Sequence, residues 1–194
     1  MSVATAGWLQ LALLVAALGA CYIPVGRYMA HVFTTDKHWR VERGMYRLIG
    51  VDPAADQKWS VYLRSMLAFS VVSVLFLYGL ERLQHCLFFS LGLPGVPPPL
   101  AWNTAASFVT NTNWQNYSGE TTMGYVVQMS GLAVQNFLSA AVGIVIAIAL
   151  VRGIVRSKTD KLGNFWVDIT RITLRYLLPA GRRRCDRPGR RGRD

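Results

Sequence analysis

Apolar side chains along this chain fall in long unbroken runs, not at the three-and-four spacing of a half-buried helix. The first run, Trp8–Gly26, holds 19 residues with no charge before Arg27. At about 1.5 Å rise per residue it nearly matches a hydrocarbon core of about 30 Å, which predicts a transmembrane helix. A signal peptide is the competing assignment, but no basic residue precedes the run and it is long for an h-region. The second run is Ser65–Leu80, extended back to about Val61 if Arg64 snorkels to the interface. The third, Tyr125–Val151, has 27 uncharged residues, enough to span with tilt. A fourth starts near Asn164, is interrupted by Asp168, Arg171 and Arg175, and stops at Pro179. That pattern suits an interfacial helix leading into a span that does not arrive.

Composition agrees with the runs: 52% of the 194 residues are hydrophobic and 16% charged, against about 25% charged in soluble domains. So apolar a chain is neither a soluble globular domain nor a disordered one. The net charge of +11 suggests nucleic acid until it is located. Residues 181–194, GRRRCDRPGRRGRD, hold seven Arg and two Asp, and lack the interleaved aromatics of a nucleic-acid-binding strip. Elsewhere the loops set the topology. Residues 27–64 carry seven basic side chains, and Arg152, Arg156, Lys158 and Lys161 follow the third run, whereas 81–124 has Arg82 alone. Positive-inside bias then puts 27–64 and 152–175 in the cytoplasm, with 81–124 and the N-terminus outside. Their basic residues are expected to be topology determinants and headgroup contacts. Cys21, Cys86 and Cys185 are far apart and lack redox or metal spacing.

The outward segment carries the chemistry. After Pro94, Gly95 and Pro97–Pro99, the run LAWNTAASFV (100–109) is too short to cross a bilayer and too apolar for a solvated loop, so it reads as a re-entrant helix. TNTNWQNYSG (110–119) follows, rich in neutral oxygens, with no charge before Glu120. Irregular backbone at membrane depth is tolerated where protein buries it or it lines a watery cavity. Short helix, polar strand and following span together describe a pore loop. The helix C-terminus carries partial negative charge. Carbonyls of Thr110, Asn111, Thr112 and Asn113, with side-chain oxygens of Asn111 and Gln115, suit a weakly hydrated monovalent cation. Trp114 and Tyr117 would form an aromatic cuff. Blander readings stay open: Asn111 and Asn113 as turn residues, Trp114 and Tyr117 as belt aromatics. In the third run Gln128, Gln135 and Ser139 share one face. They face a cavity or make interhelical bonds, with Gly131 and Gly143 at close contacts.

NTAASFVTNTNWQNYSGE (103–120) closely resembles the first selectivity-filter region of the KdpA family, the potassium-binding subunits of Kdp potassium-transporting ATPases. QMSGLAVQNFLSAA (128–141) and GNFWVDITRIT (163–173) continue the similarity. The resemblance implies an all-α polytopic membrane protein: an extra N-terminal helix (1–26), a cytoplasmic loop (27–60), a first helix–pore loop–helix unit (61–151, pore loop about 100–119), and a cytoplasmic loop with the start of the next helix (152–180). It implies K⁺ as the transported ion, bound at Thr110, Asn111, Thr112, Asn113 and Gln115. Trp114, Tyr117, Gly119 and Glu120 would support the filter. No organic cofactor and no catalytic residue are expected, because ATP hydrolysis belongs to the KdpB partner; KdpC and KdpF complete the complex. The implied location is the bacterial inner membrane. An interaction-only fragment, binding Kdp subunits without transporting, is the alternative. After Pro179 the family continues into an apolar helix, so the tail 181–194 is expected to be disordered or the product of a frameshift. The downstream nucleotides test the frameshift: no apolar continuation in another frame would rule it out.

Overall fold

The computed structural model describes residues 2–156, 159–179 and 181. The tail expectation therefore falls, but for Gly181, outside the described residues. The chain divides into two units, Met1–Trp39 and Arg40–Asp194.

The first unit is helix α1, Val3–Thr34. Ser2 caps it: its hydroxyl accepts from the Thr5 amide at 3.2 Å, filling one of the orphan donors of a helix start. The helix is apolar on every side, as a lipid-immersed helix should be. Its 32 residues outrun the 19-residue apolar stretch, because hydrogen bonding continues through Arg27 and His31 where hydropathy stops. Pro24 forgoes one backbone bond inside it, a loss that membrane helices tolerate.

The second unit begins with α2 (Arg40–Ile49), then β1 (Gln57–Lys58) and α3 (Trp59–Arg82). A 3₁₀ turn, Gln84–Cys86, opens the outer connection. Next come α4 (Pro98–Val109) and the short α5 (Gly119–Thr122). A π-helical stretch, Val127–Ala133, runs directly into α6 (Val134–Val155). Strand β2 (Lys161–Gly163) pairs antiparallel with β1, Gln57 opposite Gly163, and α7 (Phe165–Arg171) continues as a π-helical stretch, Ile172–Leu177. Among the described residues the architecture is all-α apart from this two-stranded ladder.

Among the described residues, three helices are long and apolar enough to cross a membrane: Val3–Thr34, Trp59–Arg82 and Val127–Val155. The last two expose Leu67, Val72, Phe76, Leu150 and Ile154. In water that much apolar surface would drive aggregation; it suits a bilayer, where lipid tails or neighbouring helices cover it.

The core sits between α3, α4 and the third span. Leu77, Ala105, Phe108 and Leu132 form one buried cluster, and Val96, Ala101, Met123 and Val127 a second. Gly131 permits the close approach: a Cβ there would lie 2.8 Å from Leu80 Cδ2 and 2.9 Å from Leu77 Cδ1. Gly143, expected at a similar contact, has open space around it.

Two charge networks tie the opposite end together. Arg152 grips Asp168 with both guanidinium nitrogens (2.5 and 3.0 Å), and the Tyr62 hydroxyl donates to the same carboxylate at 3.1 Å. Arg175 holds Glu42 in a second two-pronged pair at 2.5 and 2.6 Å. Burial, then the Glu42 carboxylate, push the neighbouring Tyr46 phenol up to about 12. Two expectations are corrected here. Arg152 and Arg175 are bound inside the protein and do not reach toward headgroups. Residues 165–177 are not an interfacial helix: Phe165, Val167, Ile169 and Ile172 are buried. Asp168 and Arg175, which looked like interruptions of an apolar run, are the partners in these ion pairs.

Candidate functional site

Helix α4 opens on Pro98 and Pro99, tolerated there because first-turn amides need no intrahelical acceptor. Its 12 residues give about 18 Å, short of a crossing. It ends in a Schellman motif. Asn111 takes the left-handed conformation at φ 60°. The Asn111 amide donates to Phe108 O at 3.3 Å and the Thr112 amide to Ser107 O at 3.0 Å. Asparagine is one of the few residues other than glycine that adopts this geometry readily.

The amides of the segment all turn back on the helix. Thr110 N–H reaches Ala106 O, and Asn113 N–H joins Thr112 N–H on Ser107 O. Asn113 is again left-handed, at φ 54°. The segment is thus a pair of left-handed steps, not the extended strand expected, because its donors close the helix end. Among the described residues, nothing donates to the carbonyls of Thr110–Asn113. The expected role of the helix end changes with this. The carbonyls of Ala106, Ser107 and Phe108 are consumed in holding the loop, and the free oxygens are one step further on.

Ser107 is the hub that sequence reasoning missed. It is 1% exposed; its hydroxyl donates to Trp114 O at 3.1 Å and accepts from Thr112 Oγ1 at 3.3 Å. Asn111 Oδ1 accepts from Ser139 Oγ and from Asn113 Nδ2, both at 3.3 Å. Gln115 Nε2 donates to the Tyr117 hydroxyl at 3.4 Å. Tyr117 packs against the Val96–Met123 cluster, and burial raises its pKa, leaving a neutral phenol.

The polar face of the third span meets this loop. Besides the Ser139–Asn111 bond, Gln128 Nε2 donates to Gly119 O (3.1 Å) and Met123 O (2.8 Å). Glu120 accepts from the Ser118 hydroxyl at 3.0 Å. Trp114 is 53% exposed, so its ring does not pack as a cuff within this unit. Gln84 clamps the outer turns: Nε2 donates to Pro94 O and Thr122 O, and Oε1 accepts from Gly124 N. Residues 110–116 are exposed on the side away from the helix.

Compared with known families, residues 12–181 match the family described as KdpA, Potassium-transporting ATPase A subunit. The chain belongs to the KdpA family. Three curated relatives are each called "Potassium-transporting ATPase potassium-binding subunit". The one from Streptomyces griseus subsp. griseus is 58% identical over 179 residues, 92% of this chain and 32% of the relative. That from Streptomyces avermitilis is 60% identical over 180 residues, 93% of this chain and 32% of the relative. A third, from Mycobacterium sp. (strain KMS), is 59% identical over 181 residues, 92% and 33%. The chain thus spans about a third of the length of the curated relatives it matches. KdpA-family membership, together with three helices fit to cross a bilayer, makes it a multi-pass membrane protein.

Proposed function

We propose that residues 61–151 supply one helix–pore loop–helix unit of a K⁺-selective filter in an ATP-driven, high-affinity uptake complex. The observation that carries this reading is the one-sided backbone of Thr110–Asn113: every amide is tied to α4 and every carbonyl is left unengaged. Such a surface attracts a cation and offers an anion nothing. Its oxygens are neutral, so they replace water around a monovalent ion without the tight hold that carboxylates give a divalent one. The Asn111 and Gln115 side-chain oxygens add to the set. Ser139 orients the first of these amides and Tyr117 the second. Trp114, through its backbone carbonyl on the Ser107 hydroxyl, completes the support with Gly119 and Glu120.

One unit forms part of a filter, and the other converging loops belong to the portion of the relatives that this chain does not span. K⁺ enters from the extracytoplasmic face of the bacterial inner membrane, the side on which the N-terminus also lies. ATP hydrolysis resides on the KdpB partner, with KdpC and KdpF completing the assembly; this chain contributes no catalytic group and needs no organic cofactor.

The test is Asn111→Ala and Gln115→Ala in the full-length subunit within its complex. A rise in KM for K⁺ of about tenfold, equivalent to about 1.4 kcal/mol, is expected for each. Unchanged KM and unchanged K⁺ over Na⁺ discrimination in both variants would sink the assignment. A second reading rests on the exposure of residues 110–116: this chain alone is transport-incompetent and acts only by binding other Kdp subunits. Supplying it to cells that lack KdpA separates the two. Growth at low K⁺ supports transport, and failure to grow with KdpB co-purifying supports binding alone.

A further inference from the structure

At the end of the spans away from residues 110–116, a groove of about 540 Å³ runs between α3 and α6. Leu63 and Met66 line one side, and Ile146, Leu150 and Ile154 the other. Ala149 and Gly153 also line it, and their lack of bulk hollows the α6 side. Leu150 and Ile154 are 65% and 75% exposed, so no described residue covers these walls.

The mouth is polar. Trp59, in the first turn of α3, edges it together with Asp160, whose backbone carbonyl accepts the Trp59 amide at 2.8 Å. The Asp160 side chain is exposed and makes no ion pair among the described residues. Next to these two residues in sequence, Lys58 and Lys161 stand opposite each other across the β1–β2 ladder, both exposed and likewise without an acidic partner among the described residues. Like charges so placed repel. Arg156, a further cation at this end, is already engaged by Asp56 at 3.4 Å and by Lys161 O at 3.3 Å.

From Ile146 to Ile154 the α6 wall rises about 12 Å, close to the roughly 15 Å of one leaflet's hydrocarbon. Spread over that length, the groove has a mean cross-section of about 45 Å². A helix with its side chains, about 10–12 Å across, needs roughly twice that. The groove therefore fits a hydrocarbon chain lying along the two helices. At its mouth an ammonium answers Asp160, and the Trp59 ring adds a face that attracts cations. A phosphate answers the two lysines. An anionic headgroup without an amine would leave Asp160 uncompensated.

We propose that this groove is a phospholipid site: one acyl chain lies between α3 and α6, and a phosphoethanolamine-type headgroup sits at Trp59 and Asp160 with its phosphate toward Lys58 and Lys161. A chain seated there braces the two helices that flank α4, at the end that α4 does not reach. The site stands apart from the ion reading and does not rest on it.

The test uses the full-length subunit in its complex, reconstituted in bilayers of phosphatidylethanolamine and phosphatidylglycerol. A photoactivatable leucine in place of Leu150 should cross-link to phospholipid, read by mass spectrometry. Relative to the bilayer's composition, phosphatidylethanolamine should be captured about fivefold over phosphatidylglycerol, the upper end for an exposed ion pair. Asp160→Asn should bring that ratio close to one. Ala149→Phe, which fills the hollow, should lower capture severalfold with little change in thermal unfolding. Cross-links to a protein segment, capture in simple proportion to the bilayer's composition, preference for phosphatidylglycerol, or full capture in a folded Ala149→Phe overturns the proposal. Should Ala149→Phe fail to fold, the headgroup ratios of the natural sequence and Asp160→Asn decide.

Discussion

Ser107→Ala isolates the scaffold of the loop from the groups that would meet the ion. The substitution keeps the Ser107 carbonyl, which accepts the Thr112 and Asn113 amides. It deletes the donation to Trp114 O at 3.1 Å, while Thr112 Oγ1 keeps its closer acceptor, Ser107 O at 3.0 Å. One such bond contributes about 0.5–1.5 kcal/mol net, and that is the expected loss. Only the share that differs between the ion-loaded and empty loop enters KM. If the loop is ordered chiefly when loaded, KM rises roughly 2- to 13-fold; if it is equally ordered in both, the cost appears as thermal stability alone. The assay is K⁺-dependent uptake by the full-length subunit in its complex, with Na⁺ competition, beside thermal unfolding in detergent. Ser70→Ala is the control, because that hydroxyl merely bonds back to Met66 O on its own helix. A Ser107→Ala protein with natural KM and discrimination but reduced stability would refute the idea that this hydroxyl shapes the filter.

Two further outcomes follow from the packing. Glu42→Leu removes the carboxylate that grips Arg175, which is 6% exposed on its side chain, and should cost about 3–5 kcal/mol in thermal unfolding. Glu42→Leu with Arg175→Met should recover most of it, and a double variant as unstable as the single one would count against the pair. Gly124→Ala puts a Cβ 2.9 Å from Ser90 Cα and 3.1 Å from Phe89 O. Backbone must move, so a loss of about 1–3 kcal/mol is expected, and a melting temperature equal to the natural protein's would show that the outer loop is not pinned there.

Much of the fold is legible because lipid imposes one simple rule, that a crossing is a long apolar helix. The three runs mark the three spans, and their ends differ from the helix ends because hydropathy reports the solvent while hydrogen bonding decides the helix. Trp59 and Arg82 belong to α3 although charge and aromatic belt lie outside its apolar core. The region after the third span was less legible. Asp168 and Arg175 look like interruptions of a membrane segment until Arg152 and Tyr62 are seen opposite the first and Glu42 opposite the second. Those partners are 16, 106 and 133 residues away from the groups they bind. No local pattern reports a contact at that range.

The proposed pore loop shows the same division at finer grain. Its polar composition and its place after a short helix were readable, and so was the left-handed tolerance of Asn111 and Asn113. The turn reading and the proposed ion reading are compatible, because the turn leaves unengaged the oxygens that the ion reading requires. A left-handed Asn111 closes the Schellman cap, the cap draws the amides inward, and only then are the carbonyls of Thr110–Asn113 free. Ser107 escaped notice because it is a small polar residue on a helix that reads as apolar, so nothing in its spacing marks it as a hub. Chemistry that depends on which oxygens remain unpaired is settled by a hydrogen-bond inventory of the folded chain, and composition alone does not contain one.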